Sequence, residues 1–161
     1  MANRAIDLLI TYRIVKLLTT PFERQEAFKF GIIDKDGKVL KKSKTLKTEK
    51  ERRAYTLLHR FVFNLKRILK RVGLGSRLGS FAVSLALLIK EDKNYEQHKA
   101  LIESAVVSYL KETNQYNNML MEEGDVMTFE PEQKPICNCF GIDVYEIDDE
   151  LISEKQYAKT L

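Results

Sequence analysis

The chain has 161 residues, of which 44% are hydrophobic and 31% are charged, with seven Gly, three Pro and two Cys. This composition excludes collagen-like, disulfide-scaffold and fully disordered proteins. A chain of this length buries about two-thirds of the surface that its unfolded form exposes. We therefore expect a globular core that needs neither disulfides nor a metal ion.

The net charge of +4 hides a separation of the two signs along the chain. Residues 1–90 hold 21 Lys and Arg against 7 Asp and Glu, a net charge of +14, whereas residues 91–161 hold 6 against 16, a net charge of −10. Such asymmetry is typical of proteins that bind a polyanion or associate with themselves, because a basic surface attracts nucleic acid or an acidic protein segment. Neutralisation of one half by the other within a single chain is the alternative.

Helix signals dominate the first 47 residues. The spacing predicts a helix over residues 3–19, and Thr20 with Glu23 forms a capping box for a second short helix. Charges inside the first stretch argue against a signal peptide. The run from Phe30 to Leu40 alternates β-prone residues around Asp36-Gly37, a pair that tolerates positive φ, and so predicts a small β-hairpin near residues 30–41.

A long helix is predicted from the capping box at Thr48–Glu51 to Val72, where Gly73 closes it. One side carries an apolar stripe that ordinary core packing explains. The other side is basic without an acidic residue, and Phe63 is expected to lie exposed within it, an arrangement seen where nucleic acid or a partner protein binds. The candidate partner-binding or polyanion-binding residues are Arg52, Arg53, Arg60, Phe63, Lys66, Arg67 and Lys70.

The sequence after Gly73 predicts two more helices, followed by a change to an acidic composition. An apolar helix follows the Gly73–Gly79 turn, a fifth helix covers about residues 95–117, and the composition turns acidic near residues 117–124. That change divides the chain into a basic helical domain, residues 1–120, and an acidic segment, residues 121–161. Strands over 126–129 and 142–147 and a terminal helix after Asp148-Asp149 are expected there. The fold class is mainly α, a bundle of about five helices with one small hairpin and a short α+β or irregular C-terminal segment.

No residue pattern indicates an enzyme, a metal site or a cofactor. The Gly73–Gly79 turn lacks both the dinucleotide fingerprint and the Walker Lys-Ser/Thr, and Asp34–Gly37 lacks the first and last ligands of a calcium loop. Cys137 and Cys139 are one residue apart, which suits neither an ordinary structural disulfide nor the usual zinc pair. We expect free thiols in a reducing cytoplasm, no catalytic residue and no small-molecule substrate. Phe81–Ile89 is far short of the roughly 20 residues that span a bilayer, so no membrane association is expected.

Several runs resemble proteins of T-even-type tailed phages and their marine relatives. They are Thr11–Phe22 (TYRIVKLLTTPF), Ala27–Lys42 (AFKFGIIDKDGKVLKK), Ala54–Thr56, His59–Arg60 and Phe63–Arg67. The resemblance covers residues 5–90 and is to the prohead core group, minor internal scaffold proteins around which the capsid shell assembles. It implies a virion structural protein that works through contacts with other head or scaffold proteins, in the host cytoplasm during assembly and then inside the prohead or virion.

The resemblance also implies cleavage, because maturation proteases of such phages cut after Glu in Leu/Ile-X-Glu. The chain carries this tripeptide ending at Glu91, Glu103, Glu112, Glu122 and Glu154. Glu122, at the expected boundary, is the preferred candidate, with Glu103 second. Self-association through the oppositely charged halves fits the same reading. The alternative function is a small nucleic-acid-binding accessory protein of phage replication or transcription, using the Arg52–Arg71 face and the Lys38–Lys47 linker.

Overall fold

The computed structural model describes residues 4–71, 76–124 and 130–160. It divides the chain into two compact units, Met1–Lys70 (unit 1) and Arg71–Leu161 (unit 2). The division therefore falls well before the expected boundary between residues 120 and 121. The reason is that the acidic segment contributes strands that pack on a helix beginning at Arg77, so both belong to one core.

Unit 1 is helical. Its helices are α1 (Arg4–Thr19), α2 (Glu26–Lys29), α3 (Glu49–Ala54) and α4 (Leu57–Lys70), with single 3-10 turns at Phe22–Arg24 and Ser43–Thr45. Helix α1 confirms the first predicted helix and packs against α4. The capping box predicted at Thr20 is wrong, because the Thr20 hydroxyl donates back to the Lys16 carbonyl at 2.6 Å and the turn after Pro21 has no side-chain cap.

The hairpin predicted near residues 30–41 is reduced to one β-bridge between Ile33 and Val39. The Asp34 carboxylate accepts hydrogen bonds from the backbone amides of Asp36 and Lys38, at 2.9 and 2.8 Å. These side-chain bonds add to backbone bonds across the turn, where the Asp34 amide donates to the Lys38 carbonyl at 2.9 Å and the Leu40 amide donates to the Ile32 carbonyl at 2.8 Å. The result is a short hairpin turn with a single bridge rather than two regular strands.

The single long helix predicted over residues 48–72 is two helices, α3 and α4. The capping box at Thr48 and Glu51 is confirmed at the start of α3. The chain leaves helical geometry at Tyr55, with φ of −142°. The Thr56 hydroxyl then accepts from the backbone amide of His59 at 3.3 Å and begins α4, as a threonine does at a helix N-terminus. The predicted end at Val72–Gly73 lies outside the described residues.

Unit 2 combines helices with a small sheet. Its elements are α5 (Arg77–Glu91), α6 (Lys99–Glu112), α7 (Tyr116–Glu123), β1 (Cys137–Cys139), β2 (Ile142–Ile147), β3 (Glu150–Ser153) and α8 (Glu154–Thr160), with a 3-10 segment at Lys93–His98. Helix α5 confirms the predicted fourth helix. The predicted fifth helix is interrupted at Asn114, where φ is +60°, so the expected boundary region near residues 117–124 is mostly helix α7.

The strands form an antiparallel sheet in the order β1-β2-β3. Strand β2 confirms the prediction for residues 142–147, whereas the strand predicted over 126–129 lies outside the described residues. Asp148 and Asp149 both have positive φ and make the turn between β2 and β3, so the terminal helix starts later than predicted, at Glu154. The overall result confirms a mainly α protein with a small β element.

Candidate functional site

Phe63, predicted to be exposed within a basic face, is completely buried. Its ring centre lies 5.7 Å from that of Phe22, 6.1 Å from Tyr55 and 5.8 Å from His59. The break between α3 and α4 explains this placement, because a continuous helix would carry Tyr55 two turns away from Phe63. The prediction that the Phe63 ring is exposed and available to bind a partner is therefore wrong. Phe63 belongs to the core of unit 1.

Lys66 is also part of the interior, since only 9% of the residue is exposed. Its ammonium group donates to the Thr20 carbonyl and, at 3.2 Å, to the Leu17 carbonyl. It lies 4.4 Å from the centre of the Phe22 ring. The Gln25 amide donates to the same carbonyls, at 3.3 Å to that of Leu17 and at 3.1 Å to that of Thr20. Together the two side chains satisfy carbonyls at the C-terminus of α1, which would otherwise lack donors.

Burial changes the protonation chemistry of this basic cluster. Desolvation, with a smaller contribution from the charge of Lys70, lowers the pKa of Lys66 from 10.5 to about 8. Burial also lowers the pKa of Arg67, whose guanidinium donates to the Gly37 carbonyl at 2.6 Å. The charges of Lys66 and Arg67 thus serve the fold of unit 1. The structure does not bring them together with Arg52 and Arg53 as one outward surface.

An exposed basic surface does exist in unit 1, but it precedes α4. We call residues 38–53 the lysine segment; its exposed cations are Lys38, Lys41, Lys42, Lys44, Lys47, Lys50, Arg52 and Arg53. Arg52 donates to the Lys47 carbonyl at 3.1 Å, and Arg53 pairs with Glu49 at 2.7 Å. Of the seven predicted residues, Arg52 and Arg53 therefore belong to this surface. Lys70 is exposed at the end of α4, and Arg60 is half-buried.

Helix α1 carries a second apolar side that the sequence reasoning missed. Ile14, Leu17 and Leu18 are buried, whereas Leu8 and Tyr12 are 67% and 60% exposed. We call Leu8, Tyr12 and Val15 the α1 stripe, because their spacing of four and three places them on one side of a helix. Leu9 and Ile6 are also exposed on α1. A helix that is apolar on two sides is normally covered on both, and this spacing was readable from the sequence.

The separation of charge coincides with the division into units. Residues 1–70 contain 18 Lys and Arg against 7 Asp and Glu, a net charge of +11. Residues 71–161 contain 9 against 16, a net charge of −7. Each compact unit is therefore a body of one predominant sign, and fields of this kind act over about a Debye length, 8–10 Å at physiological salt.

The two candidate cleavage residues lie in helices of unit 2. Glu122 is in the last turn of α7, and its carboxylate pairs with the Arg77 guanidinium at 2.8 Å. Glu103 is in α6, where it pairs with Lys99 at 3.3 Å and accepts from the backbone amide of Phe140. Both carboxylates thus have structural partners, and Glu122, expected at a domain boundary, lies within helix α7.

No group of three or more His, Cys, Asp or Glu side chains is arranged to hold a metal ion within residues 4–71, 76–124 and 130–160. Over the same residues, none of the helices is both long and apolar enough to cross a membrane. Comparison of the chain with protein-family models, with curated proteins and with solved structures gives no match.

Proposed function

We propose that this chain is a non-enzymatic head morphogenesis protein of a tailed phage, a component of the prohead core that acts through protein–protein contacts. The sequence resemblance over residues 5–90 supplies the biological setting. The α1 stripe is the observation that favours a protein as the partner. The site of action is then the host cytoplasm during assembly and afterwards the interior of the prohead or virion.

The α1 stripe has the surface chemistry of a contact with another protein. Leu8, Tyr12 and Val15 present aliphatic and aromatic groups in a row along a helix of 16 residues. Contiguous exposed apolar surface on a small protein marks a contact with another protein or a membrane. Nucleic-acid binding draws mainly on cations that contact phosphates, and Leu8, Tyr12 and Val15 carry no charge. A partner helix with an apolar side matches the stripe in both length and polarity.

Charge supplies the second part of the proposal. Unit 1 of one copy and unit 2 of another have opposite net charge, so head-to-tail contacts between copies are electrostatically favourable. The same basic unit attracts any acidic scaffold protein. Such attraction mainly raises the rate of encounter and gives salt sensitivity, while the apolar stripe provides the affinity.

The proposal is tested by replacing apolar side chains of the α1 stripe with polar ones that leave the net charge unchanged. The variant Leu8→Gln/Tyr12→Gln replaces its two most exposed residues with a good helix former. The matched control is Leu87→Gln/Met121→Gln, which alters residues that are 45% and 78% exposed on helices of unit 2. Sedimentation velocity of the full chain and its recovery with purified proheads are the readouts.

We expect the unaltered chain and the control to associate with themselves or with proheads, and the stripe variant to lose at least about tenfold in association, equivalent to 1.4 kcal/mol. A chain that is monomeric and absent from proheads would contradict the proposal. Equal behaviour of the two variants would show that the α1 stripe is not the contact.

The second candidate, a nucleic-acid-binding accessory protein, rests on the lysine segment. The variant Lys42→Gln/Lys44→Gln/Lys47→Gln removes three exposed cations. The control, Lys93→Gln/Lys134→Gln/Lys159→Gln, removes three exposed cations from unit 2 and changes net charge equally. If nucleic acid is the ligand, only the first variant weakens retention of duplex DNA or RNA, and the slope of log affinity against log salt falls by about 3.

Processing by the maturation protease remains part of the core proposal. Proteases act on extended chain, so cleavage after Glu122 requires the last turn of α7 to unwind and the Arg77 pair to break. Mass spectrometry of proheads and mature virions decides this point. Fragments ending at Glu122 or Glu103 in virions support processing, whereas the intact chain in virions shows a retained, uncleaved component.

A further inference from the structure

Two thiols lie side by side at the edge of the unit 2 sheet. Cys137 and Cys139 are alternate residues of β1, so their side chains project to the same face, and their Sγ atoms are 3.6 Å apart. Cys139 is completely buried, and Cys137 is partly exposed. The pair therefore combines a cysteine that is partly open to solvent with a buried cysteine whose sulfur lies beside it.

Helix α6 holds the backbone around the two cysteines. The Lys99 ammonium donates to the carbonyl of Asn138, the residue between them, at 2.5 Å. Glu103 accepts from the amide of Phe140, which follows Cys139 and has φ of +54°. A dipeptide with positive φ at both positions, here Phe140-Gly141, makes a tight hairpin turn. The thiols thus sit on a short strand that is fixed at its C-terminal end.

We propose that Cys137 and Cys139 are a reversible dithiol–disulfide pair that exchanges with small-molecule disulfides. A strand rises about 3.3 Å per residue, so alternate Cα atoms are about 6.6 Å apart, close to the upper limit of about 6.8 Å for a disulfide. The bond can therefore form across this spacing, and its tension makes it easily reduced again.

The exchange proceeds in two balanced steps. The Cys137 thiolate attacks one sulfur of the small disulfide, forming a mixed disulfide and expelling one small thiolate. The Cys139 thiol then loses its proton to solvent and its sulfur attacks Sγ of Cys137, expelling the second thiolate. The two protein thiols are oxidised by two electrons, and the small disulfide is reduced to two thiols.

The surroundings favour Cys137 as the attacking sulfur. The hydrogen bond from Cys139 and the charge of Lys99 lower the pKa of Cys137, opposed by burial and by the charges of Asp143 and Glu103. The pKa of Cys139 is raised by its interaction with Cys137 and by burial. An exposed sulfur with more thiolate character reacts first, and the buried sulfur resolves the intermediate.

The folded full chain is equilibrated in buffers of reduced and oxidised glutathione and quenched with acid. It is then denatured, so that the buried Cys139 is also accessible, and its free thiols are alkylated and identified by mass spectrometry. We expect the unaltered chain to lose both alkylation sites together, without a retained glutathione, and to regain them in reduced buffer. Cys139→Ser should accumulate glutathione on Cys137, and Cys137→Ser should leave Cys139 largely alkylatable. Circular dichroism checks that each variant is folded.

Three outcomes would overturn the proposal. One is that both thiols stay reduced, and are alkylated after denaturation, at every glutathione ratio at which the folded chain is equilibrated. Another is that the unaltered chain retains glutathione adducts or forms only intermolecular disulfides. The last is equal glutathione accumulation in the two single variants, which would show that Cys137 and Cys139 do not have separate roles. None of these results bears on the α1 stripe, so the pair stands or falls independently of the proposed function.

Discussion

Replacing Lys66 with Met tests the role given to this buried lysine. Its ammonium group donates to the Leu17 and Thr20 carbonyls at the end of α1 and lies over the Phe22 ring. Methionine keeps an unbranched apolar chain of similar length but carries no proton to titrate. Gln25 still donates to both carbonyls in the variant, so α1 retains a polar end cap.

The magnitude follows from the pKa of Lys66, which burial lowers from 10.5 to about 8. Between these two values the unfolded chain binds more protons at this position than the folded chain does, so the free energy of unfolding rises with pH. From about pH 7 to about pH 9.5 the gain is about 2 kcal/mol. The Lys66→Met variant lacks this gain. When the pH is raised from about 7 to about 9.5, the unfolding free energy of the unaltered chain should therefore increase by about 2 kcal/mol relative to that of the variant.

Urea denaturation followed by far-UV circular dichroism at the two pH values measures this difference. Because the chain has two compact units, the transition of unit 1 is assigned as the one that Ile14→Ala displaces. Titration of tyrosines and cysteines affects both proteins equally and cancels in the comparison. A difference that stays constant with pH, or that shifts in favour of the variant, would refute the account of Lys66 as a desolvated side chain.

Three further substitutions test other parts of the fold, each by chemical denaturation. Phe63→Ala should lower the free energy of unfolding by about 3–5 kcal/mol, because it leaves a cavity in a buried aromatic cluster. A loss below about 1 kcal/mol would indicate that Phe63 is exposed, as the sequence predicted. Gly37→Ala should cost about 2 kcal/mol, because φ is +81° and the added Cβ would meet the Phe22 ring. Glu122→Ala should cost about 1–3 kcal/mol through loss of its bonds to Arg77, and Glu122→Gln should recover part of that loss.

Local sequence signals predicted the elements that are determined locally. The capping box at Thr48 and Glu51 is formed as expected, and the alternation of Ile142–Ile147 gives β2 with the predicted ends. In both cases the residues that determine the structure lie within a few positions of one another. The same holds for α1 and α5, whose apolar spacing is continuous along a single helix.

The predicted exposure of the basic face of α4 is wrong because residues distant in sequence cover Phe63 and Lys66. Helical periodicity places Phe63 and Lys66 away from the main apolar stripe of α4, and this much is correct. The segment that covers that side comes from Phe22 and the end of α1, more than forty residues earlier. The charge pattern also gave a wrong prediction for Lys66, because the sequence does not distinguish a buried lysine that donates to helix carbonyls from a lysine in solvent. Of the exposed cations before α4, Arg52 and Arg53 were predicted as binding residues, and the linker over Lys38–Lys47 was predicted to act only in the alternative function.

The most direct test of the central claim is photo-crosslinking inside assembling proheads of the phage that encodes this chain. A photoreactive phenylalanine analogue replaces Tyr12 on the α1 stripe, and the control carries the same analogue at Met121, which is exposed on α7. We expect the chain to be recovered in proheads and position 12 to crosslink to another copy or to a head protein far more efficiently than position 121. Absence of the chain from proheads, or equal crosslinking from both positions, would contradict that claim.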